Sequence, residues 1–129
     1  MRELKYKVWD LEDKKIYILE GFDNKGNYEF PVAYFHHKDK PDIARYNSMD
    51  KIKLLQYTGL KDMDAKEIYE GDIVISDNGT KYEVYFTDGG FKLSNAKYPN
   101  ANLQLLDRMI SNYIKVIGNI FESKEILEK

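Results

Sequence analysis

The feature that most constrains the fold is a hairpin signal near the middle of the chain. Asp77-Asn78-Gly79 separates two short runs, 72–76 and 82–87, that are rich in β-branched and aromatic residues. Asn-Gly between such runs is typical of a tight β-hairpin whose two central residues take positive φ. Alternation along the second run predicts one core-facing side, formed by Tyr82, Val84 and Phe86.

Similar runs recur along the chain, each bounded by turn residues. They cover residues 4–8, 15–22, 28–35, 52–57, 91–93 and 114–118. Pro31 lies inside the third run and cannot donate to a ladder, which places it at a sheet edge or a bulge. Short, evenly spaced strands joined by Gly-containing turns predict a mainly β fold (β-rich α+β), built as a barrel or a sandwich. The first 35 residues predict a three-stranded antiparallel meander.

A polar segment, residues 36–50, departs from this pattern. It holds few apolar side chains and mixed charge, so we expect an exposed connection with a short helix beginning near Pro41. This connection divides the chain into an N-terminal β-meander region, residues 1–50, and a second region, residues 51–129.

A second departure is residues 101–111, where leucine and isoleucine recur at helical spacing. This periodicity predicts one helix inserted in the second region, with Asn100 or Asn102 as its N-cap. Ser123 is expected to cap a last helical turn.

Composition argues against several classes of function. Cysteine is absent, so neither a disulfide nor a thiolate metal site can form. No apolar run approaches the length of a membrane span, and no signal-peptide pattern is present, which favours a cytoplasmic protein without a membrane partner. Residues 1–50 carry nine bases and ten acids, and residues 51–129 carry eleven and twelve. Composition therefore supplies no basic face for strong non-specific nucleic-acid binding.

The stretch 56–74, QYTGLKDMDAKEIYEGDIV, is the predicted joint between the two regions. Thr58-Gly59 breaks an apolar segment, and Glu70-Gly71-Asp72 begins the next strand. The glycines are expected to supply backbone freedom and the aspartates to shape the turns; these residues are Gly59, Gly71, Asp62, Asp64 and Asp72. Asp62→Asn and Asp64→Asn should then be nearly silent unless the carboxylates bind a metal, whereas Gly71→Val should impair folding.

The acids between residues 62 and 77 also allow a divalent-cation site. An EF-hand loop beginning at Asp62 would need Gly where Glu67 stands and Glu where Ile73 stands. We therefore favour solvated turn carboxylates, with no metal and no cofactor. The only histidines, His36-His37, would point to opposite faces of a strand, and no nucleophile or phosphate-loop motif is present, so no catalytic residue is expected.

Four stretches in order resemble the YopX family, small proteins of bacteriophages and prophages of Gram-positive bacteria. They are RELKYKVWD with Lys15-Ile16-Tyr17, QYTGLKD with KEIYEGDIV, Asp88-Gly89-Gly90-Phe91, and VIGNIFES with Glu125-Ile126-Leu127. The resemblance makes both regions one family unit and implies an SH3-type small barrel from residue 51 onward, with no established activity. The family usually has Gly where Ala65 stands, so either the turn is reshaped or Asp64 takes the positive φ. Gly118 lies in the last stretch and joins Gly59, Gly71 and Asp72 as structural motif residues.

The expected function is that of a non-enzymatic phage or prophage accessory protein that binds a host or phage protein. One alternative is a single-stranded nucleic-acid-binding barrel, with contacts from Lys51, Lys53, Tyr57 and Lys61. A second alternative is a divalent-metal-dependent enzyme that uses the acidic turn. Sheet edges and abundant tyrosine also suggest a homo-oligomer, with Tyr17, Tyr28 and Tyr34 as its expected surface.

Overall fold

The computed structural model describes residues 5–23, 31–87, 89–95 and 104–128, and over these residues the protein is mainly β, as predicted. All strand pairs are antiparallel. The strands are β1 Tyr6–Asp10, β2 Lys15–Asp23, β3 Val32–His37, β4 Ala44–Ser48, β5 Ile52–Lys61, β6 Glu67–Tyr69, β7 Asp72–Ser76, β8 Lys81–Thr87, β9 Gly90–Asn95, β10 Gln104–Leu105 and β11 Ile114–Asn119. One α-helix, α1 Arg108–Ser111, and two 3-10 helices, Met49–Lys51 and Lys124–Glu128, complete the described elements. None of these helices has the length and apolar character needed to cross a membrane.

The chain divides into two compact units, one of residues 5–56 and one that begins at Tyr57. β5 runs from the first unit into the second. Its first half pairs with β1, and its second half pairs with β6.

In the first unit the strands pair in the order β4-β3-β2-β1-β5. The predicted meander is confirmed as β1, β2 and β3. Strand alternation sends one set of side chains to a common face, where Val8 lies opposite both Tyr17 and Leu54. The buried core on this face is formed by Val8, Tyr17, Ala33, Phe35 and Ile52.

The predicted connection over residues 36–50 is exposed at residues 38–44, as expected, but its predicted conformation is wrong. β3 continues through His37, residues 41–42 form a turn and not the start of a helix, and β4 pairs with β3. β4 has no apolar alternation because its core-side positions are Arg45 and Asn47, whose charge and amide group are satisfied by Asp10.

The second unit contains a sheet with strand order β10-β9-β8-β7-β11, besides the pairing of β5 with β6. Its buried core is formed by Ile68, Val74, Val84, Phe91, Leu93, Leu106, Ile114 and Val116. The structure arranges the strands in two sheets, and their closure into an SH3-type barrel stays a prediction.

The hairpin of β7 and β8 is confirmed, but its turn differs from the predicted one. Gly79 takes φ +87°, and its N–H donates to the Ser76 carbonyl at 3.0 Å, whereas Asn78 is not among the described residues with positive φ. A longer loop that ends in a glycine with positive φ can also join the two strands of a hairpin. Phe86 was predicted in the core but is exposed, with its ring edge against Phe91 at a centroid distance of 5.1 Å.

The helix predicted over residues 101–111 is mostly wrong. Residues 104–105 form β10, which pairs with β9, and the Leu106 N–H donates to the Phe91 carbonyl. Only α1 is helical, and its N-cap is Asp107, whose carboxylate accepts from the Ile110 N–H at 2.9 Å. Asn100 and Asn102 lie outside the described residues. The last helical turn after Ser123 is confirmed as a 3-10 helix.

Candidate functional site

Asp62 lies at the end of β5 and joins the following turn to β11. Its side chain is only 4% exposed. One carboxylate oxygen accepts from the N–H groups of Asp64 and Lys66, both at 2.9 Å, and the other accepts from the Val116 N–H at 2.8 Å. The prediction that this carboxylate is a solvated turn group is therefore wrong. Asp62 is a buried acceptor that holds together segments far apart in the sequence.

The same turn, residues 62–66, runs along the outer side of β11, the last strand of its sheet. The Met63 N–H donates to the Ile114 carbonyl at 3.0 Å, next to the bond between Asp62 and Val116. Covering outward-facing backbone groups is a common means of protecting a sheet edge.

Ala65, at the tip of this turn, takes φ +64°. Both alternatives drawn from the sequence are wrong, since the turn keeps its left-handed residue and that residue is Ala65, not Asp64. The Ala65 N–H donates to the Asp62 carbonyl at 3.0 Å, which keeps the turn closed. A side-chain-bearing residue in this conformation is strained by about 1 kcal/mol or more.

The predicted structural motif residues lie where backbone and side chains approach closely. Gly59 takes φ +85° at a register shift between β5 and β6, so β5 bends there and continues to Lys61 without breaking. Gly71 takes φ +88°, and a Cβ at this position would lie 2.5 Å from the Phe121 ring. A Cβ at Gly118 would lie 2.9 Å from Ile126. Asp72 accepts from the Tyr69 N–H at 2.8 Å.

Three large apolar side chains in this turn and in the segment before β11 are exposed. Met63 is 57% exposed, Met109 71% and Tyr113 61%. Met109 lies in α1, and Tyr113 follows the C-cap of this helix, Asn112, while the Met63 N–H donates to the carbonyl of the residue after Tyr113. We call these three residues the Met–Tyr patch. Methionine is frequent at adaptable binding surfaces because its side chain is flexible and polarisable.

The Met–Tyr patch was not predicted from the sequence. Met109 lies within the segment predicted to be helical, residues 101–111, and Met63 lies within the predicted joint, residues 56–74. A signal was nevertheless present, because a large apolar residue between Asp62 and Asp64 is unusual in a solvated turn.

The first unit contains a second group of interacting polar residues, centred on Asp10. This side chain is fully buried. One of its oxygens accepts from Arg45 Nε at 2.7 Å and Asn47 Nδ2 at 3.2 Å, and the other accepts from the N–H groups of Glu12 and Asp13. In the sheet, β3 and β2 lie between β4 and β1, which would separate β4 from β1 by about 14 Å if the sheet were flat. The sheet must therefore curl for Arg45 and Asn47 to reach Asp10.

The electrostatics of this group favour a structural role. Burial would raise the pKa of Asp10, but the hydrogen bonds from Arg45, the backbone and Asn47 outweigh it and hold the pKa below its ordinary value. The same pairing raises the pKa of Arg45. Burial and the hydrogen bond to Asp13 raise the pKa of Tyr17 to about 12, so its hydroxyl stays neutral. An Asp held ionised by four donors is a poor proton acceptor near neutral pH.

The residues predicted to contact nucleic acid do not form one aromatic platform. Lys51, Lys53 and Lys61 are exposed, but Tyr57 is buried against Tyr69, with ring centroids 5.3 Å apart. Lys51 and Lys53 belong to the first unit, and Lys61 belongs to the second.

The tyrosines predicted for self-association are also placed differently. Tyr17 is buried in the core of the first unit, Tyr34 is half-buried with its ring against Tyr46, and Tyr28 lies outside the described residues.

The remaining predicted candidates have local partners. His36 Nδ1 lies 2.9 Å from Glu20 Oε1 across neighbouring strands, and His37 Nδ1 accepts from the N–H groups of Asp39 and Lys40. No group of three or more His, Asp or Glu side chains placed to hold a metal ion occurs in residues 5–23, 31–87, 89–95 and 104–128.

Comparison with known proteins gives a consistent fold and family. The family model described as YopX protein matches residues 5–128. Protein EF1440 from Enterococcus faecalis has a similar crystal structure, with a TM-score of 0.63, 22% identity, and coverage of 98% of this chain and 99% of that one. Protein yopX from Bacillus subtilis is also similar, with a TM-score of 0.58, 22% identity, and coverage of 97% and 98%. No curated protein matches the chain.

Proposed function

The chain belongs to the YopX family, and on that premise we propose that it is a phage or prophage accessory protein that acts as a non-enzymatic binding module. The observation that carries this proposal is the Met–Tyr patch. Isolated exposed apolar side chains are ordinary on a protein surface, but three large ones in segments that a backbone hydrogen bond joins favour a binding site.

The construction of the surrounding turn supports this proposal. Asp62 fixes the turn through three backbone hydrogen bonds, so Met63 is presented from a rigid base. The hydrogen bond that the Ile110 N–H donates to the Asp107 carboxylate orders the start of α1, which carries Met109. A surface held in place before binding loses less conformational entropy when a partner docks.

The experiment is partner capture with matched variants. Tagged wild-type protein, the patch variant Met109→Ser/Tyr113→Ser and the control Leu11→Ser/Ile43→Ser would be expressed in a Gram-positive host and crosslinked. The control removes two exposed apolar side chains from the first unit. We expect at least one partner that the wild type and the control retain and the patch variant loses, and whose purified form binds directly with the same dependence. Equal capture by all three proteins would refute the proposal.

The nucleic-acid alternative has a direct test, because Lys51, Lys53 and Lys61 are exposed. Titration of labelled oligonucleotides should show binding at low salt that weakens as salt increases, if these lysines contact phosphates. A lack of binding at low salt would exclude this alternative.

A further inference from the structure

We propose that Met63 and Met109 form a reversible oxidation site, at which conversion to methionine sulfoxide prevents the Met–Tyr patch from binding its partner. This inference rests on the proposed function and adds the regulation of the same patch. It follows from the positions and the exposure of the methionines in the fold.

The most exposed methionines of the described residues both belong to the patch. The chain has four methionines and no cysteine, so an oxidant that attacks sulfur can react only with methionine. Met63 is 57% exposed and Met109 71%, whereas Met49 is half-buried and packs against the core of the first unit. Met1 lies outside the described residues. Among the described methionines, a peroxide in solution therefore reaches the two of the patch most easily.

Oxidation of methionine changes the chemistry of a surface without changing the backbone. The thioether sulfur gives an electron pair to one oxygen of hydrogen peroxide, an S–O bond forms and the O–O bond breaks, and the leaving hydroxide takes the proton to become water. The flexible apolar side chain thereby becomes a polar sulfoxide. A sulfoxide that a partner buries without a hydrogen-bond donor should weaken binding by about tenfold.

The hydrogen bonds that hold the patch in place do not use the methionine side chains. The turn that carries Met63 is held by the Asp62 carboxylate, which accepts from three backbone N–H groups. The start of α1, which carries Met109, is held by the Asp107 carboxylate. Neither methionine belongs to the two buried cores of the described residues. We therefore expect oxidation to alter this surface and leave the fold intact.

The first measurement is peptide mass spectrometry of the full-length protein after treatment with hydrogen peroxide. Sulfoxide should form at Met63 and Met109 before it forms at Met49, with an unchanged Tm and earlier elution from a phenyl column. The two methionine sulfoxide reductases, one for each sulfoxide epimer, should restore the original elution in dithiothreitol, as two thiols form a disulfide and the oxygen leaves as water. Equally fast oxidation of Met49, or a lower Tm, would overturn the inference.

Leucine variants identify the sulfur atoms that are responsible. Leucine has a volume similar to that of methionine and no sulfur, so both variants should fold. Peroxide should leave the elution of Met63→Leu/Met109→Leu unchanged, whereas Met49→Leu should respond to peroxide as the wild type does. An equal loss of column retention in the wild type and the double variant would place the oxidised group outside the patch and overturn the inference.

Binding of the purified partner identified by capture then tests the regulation. Peroxide-treated wild type should bind it at least about tenfold more weakly than untreated protein and regain its affinity after reductase treatment. The affinity of Met63→Leu/Met109→Leu should be equal before and after treatment. Wild-type affinity that peroxide does not change would overturn the inference and leave the binding module standing. Equal capture by untreated wild type and Met109→Ser/Tyr113→Ser would instead refute the proposed function, and the regulation with it.

Discussion

Replacing Asp62 by Asn tests whether this carboxylate has a structural role. The buried side chain accepts three backbone N–H groups, two on one oxygen and one on the other. Asn has one acceptor oxygen, so either the turn or Val116 N–H would face an amide NH₂ group that cannot accept. A hydrogen bond to a charged group contributes about 1.5–3 kcal/mol, and an unsatisfied buried donor costs about 1–3 kcal/mol. We expect Asp62→Asn to lower the free energy of unfolding by about 3 kcal/mol.

The measurement is thermal and urea unfolding of Asp62→Asn beside Asp64→Asn. For a chain of this length, 1 kcal/mol corresponds to about 4 °C, so Asp62→Asn should lower the Tm by about 12 °C. Asp64 is exposed, and its ion pair with Lys115 should contribute less than about 1 kcal/mol. Equal stability of the two variants in the absence of metal would refute the structural role and restore the sequence-based prediction that both changes are silent.

Three further predictions concern single positions. Gly71→Ala should lower the free energy of unfolding in urea by about 2 kcal/mol or more, because Gly71 has positive φ and a Cβ there would lie against the Phe121 ring. The loss should be smaller when Phe121 is also replaced by Ala, and an equal loss in both backgrounds would contradict a steric clash with this ring. Ala65→Gly should raise the Tm, by the equivalent of about 0.5–1 kcal/mol, because φ +64° suits glycine; a lower Tm would contradict the strain. Arg45→Met should lower the free energy of unfolding by about 2 kcal/mol at neutral pH. Its partner Asp10 is buried and would lose its cation, while Arg45 itself is one third exposed, which reduces the effect. The pKa of Asp10 is lowered in the folded protein, so the stability from its pair with Arg45 is fully present above the ordinary pKa of 3.8 and is lost as pH falls through the folded pKa. If the difference in unfolding free energy between wild type and Arg45→Met did not become smaller at low pH, the pair would not have this role.

The elements that could be predicted from the sequence are those defined by local pattern. The hairpin of β7 and β8 was found because its turn and both strands lie within a short stretch. The first three strands and β11 were found for the same reason. In each case alternation and turn residues act over a few positions and agree with the final packing.

The errors arise where a distant residue decides the structure. β4 could not be recognised because its core-side residues, Arg45 and Asn47, are polar, and they are satisfied by Asp10, 35 and 37 positions away. The side chain of Asp62 was predicted to be solvated because its partner, the Val116 N–H, is 54 positions away in the sequence. Polar groups at core-side positions are stable only with such partners, which a local pattern does not show.

The candidate site was missed for a related reason. Met63 is placed beside the segment that follows Met109 because the turn of residues 62–66 binds the outer side of β11. The spacing of residues along the chain does not reveal the contact between this turn and β11. The helical period of residues 101–111 also predicted a longer helix around Met109, although only four of the described residues there are helical.

The most direct test of the central claim is the affinity of a captured and purified partner for three proteins, measured by isothermal titration calorimetry. We expect wild type and Leu11→Ser/Ile43→Ser to bind this partner alike, and Met109→Ser/Tyr113→Ser to bind it about thirtyfold more weakly with an unchanged Tm. Equal affinity of all three proteins would show that the Met–Tyr patch is not the binding surface.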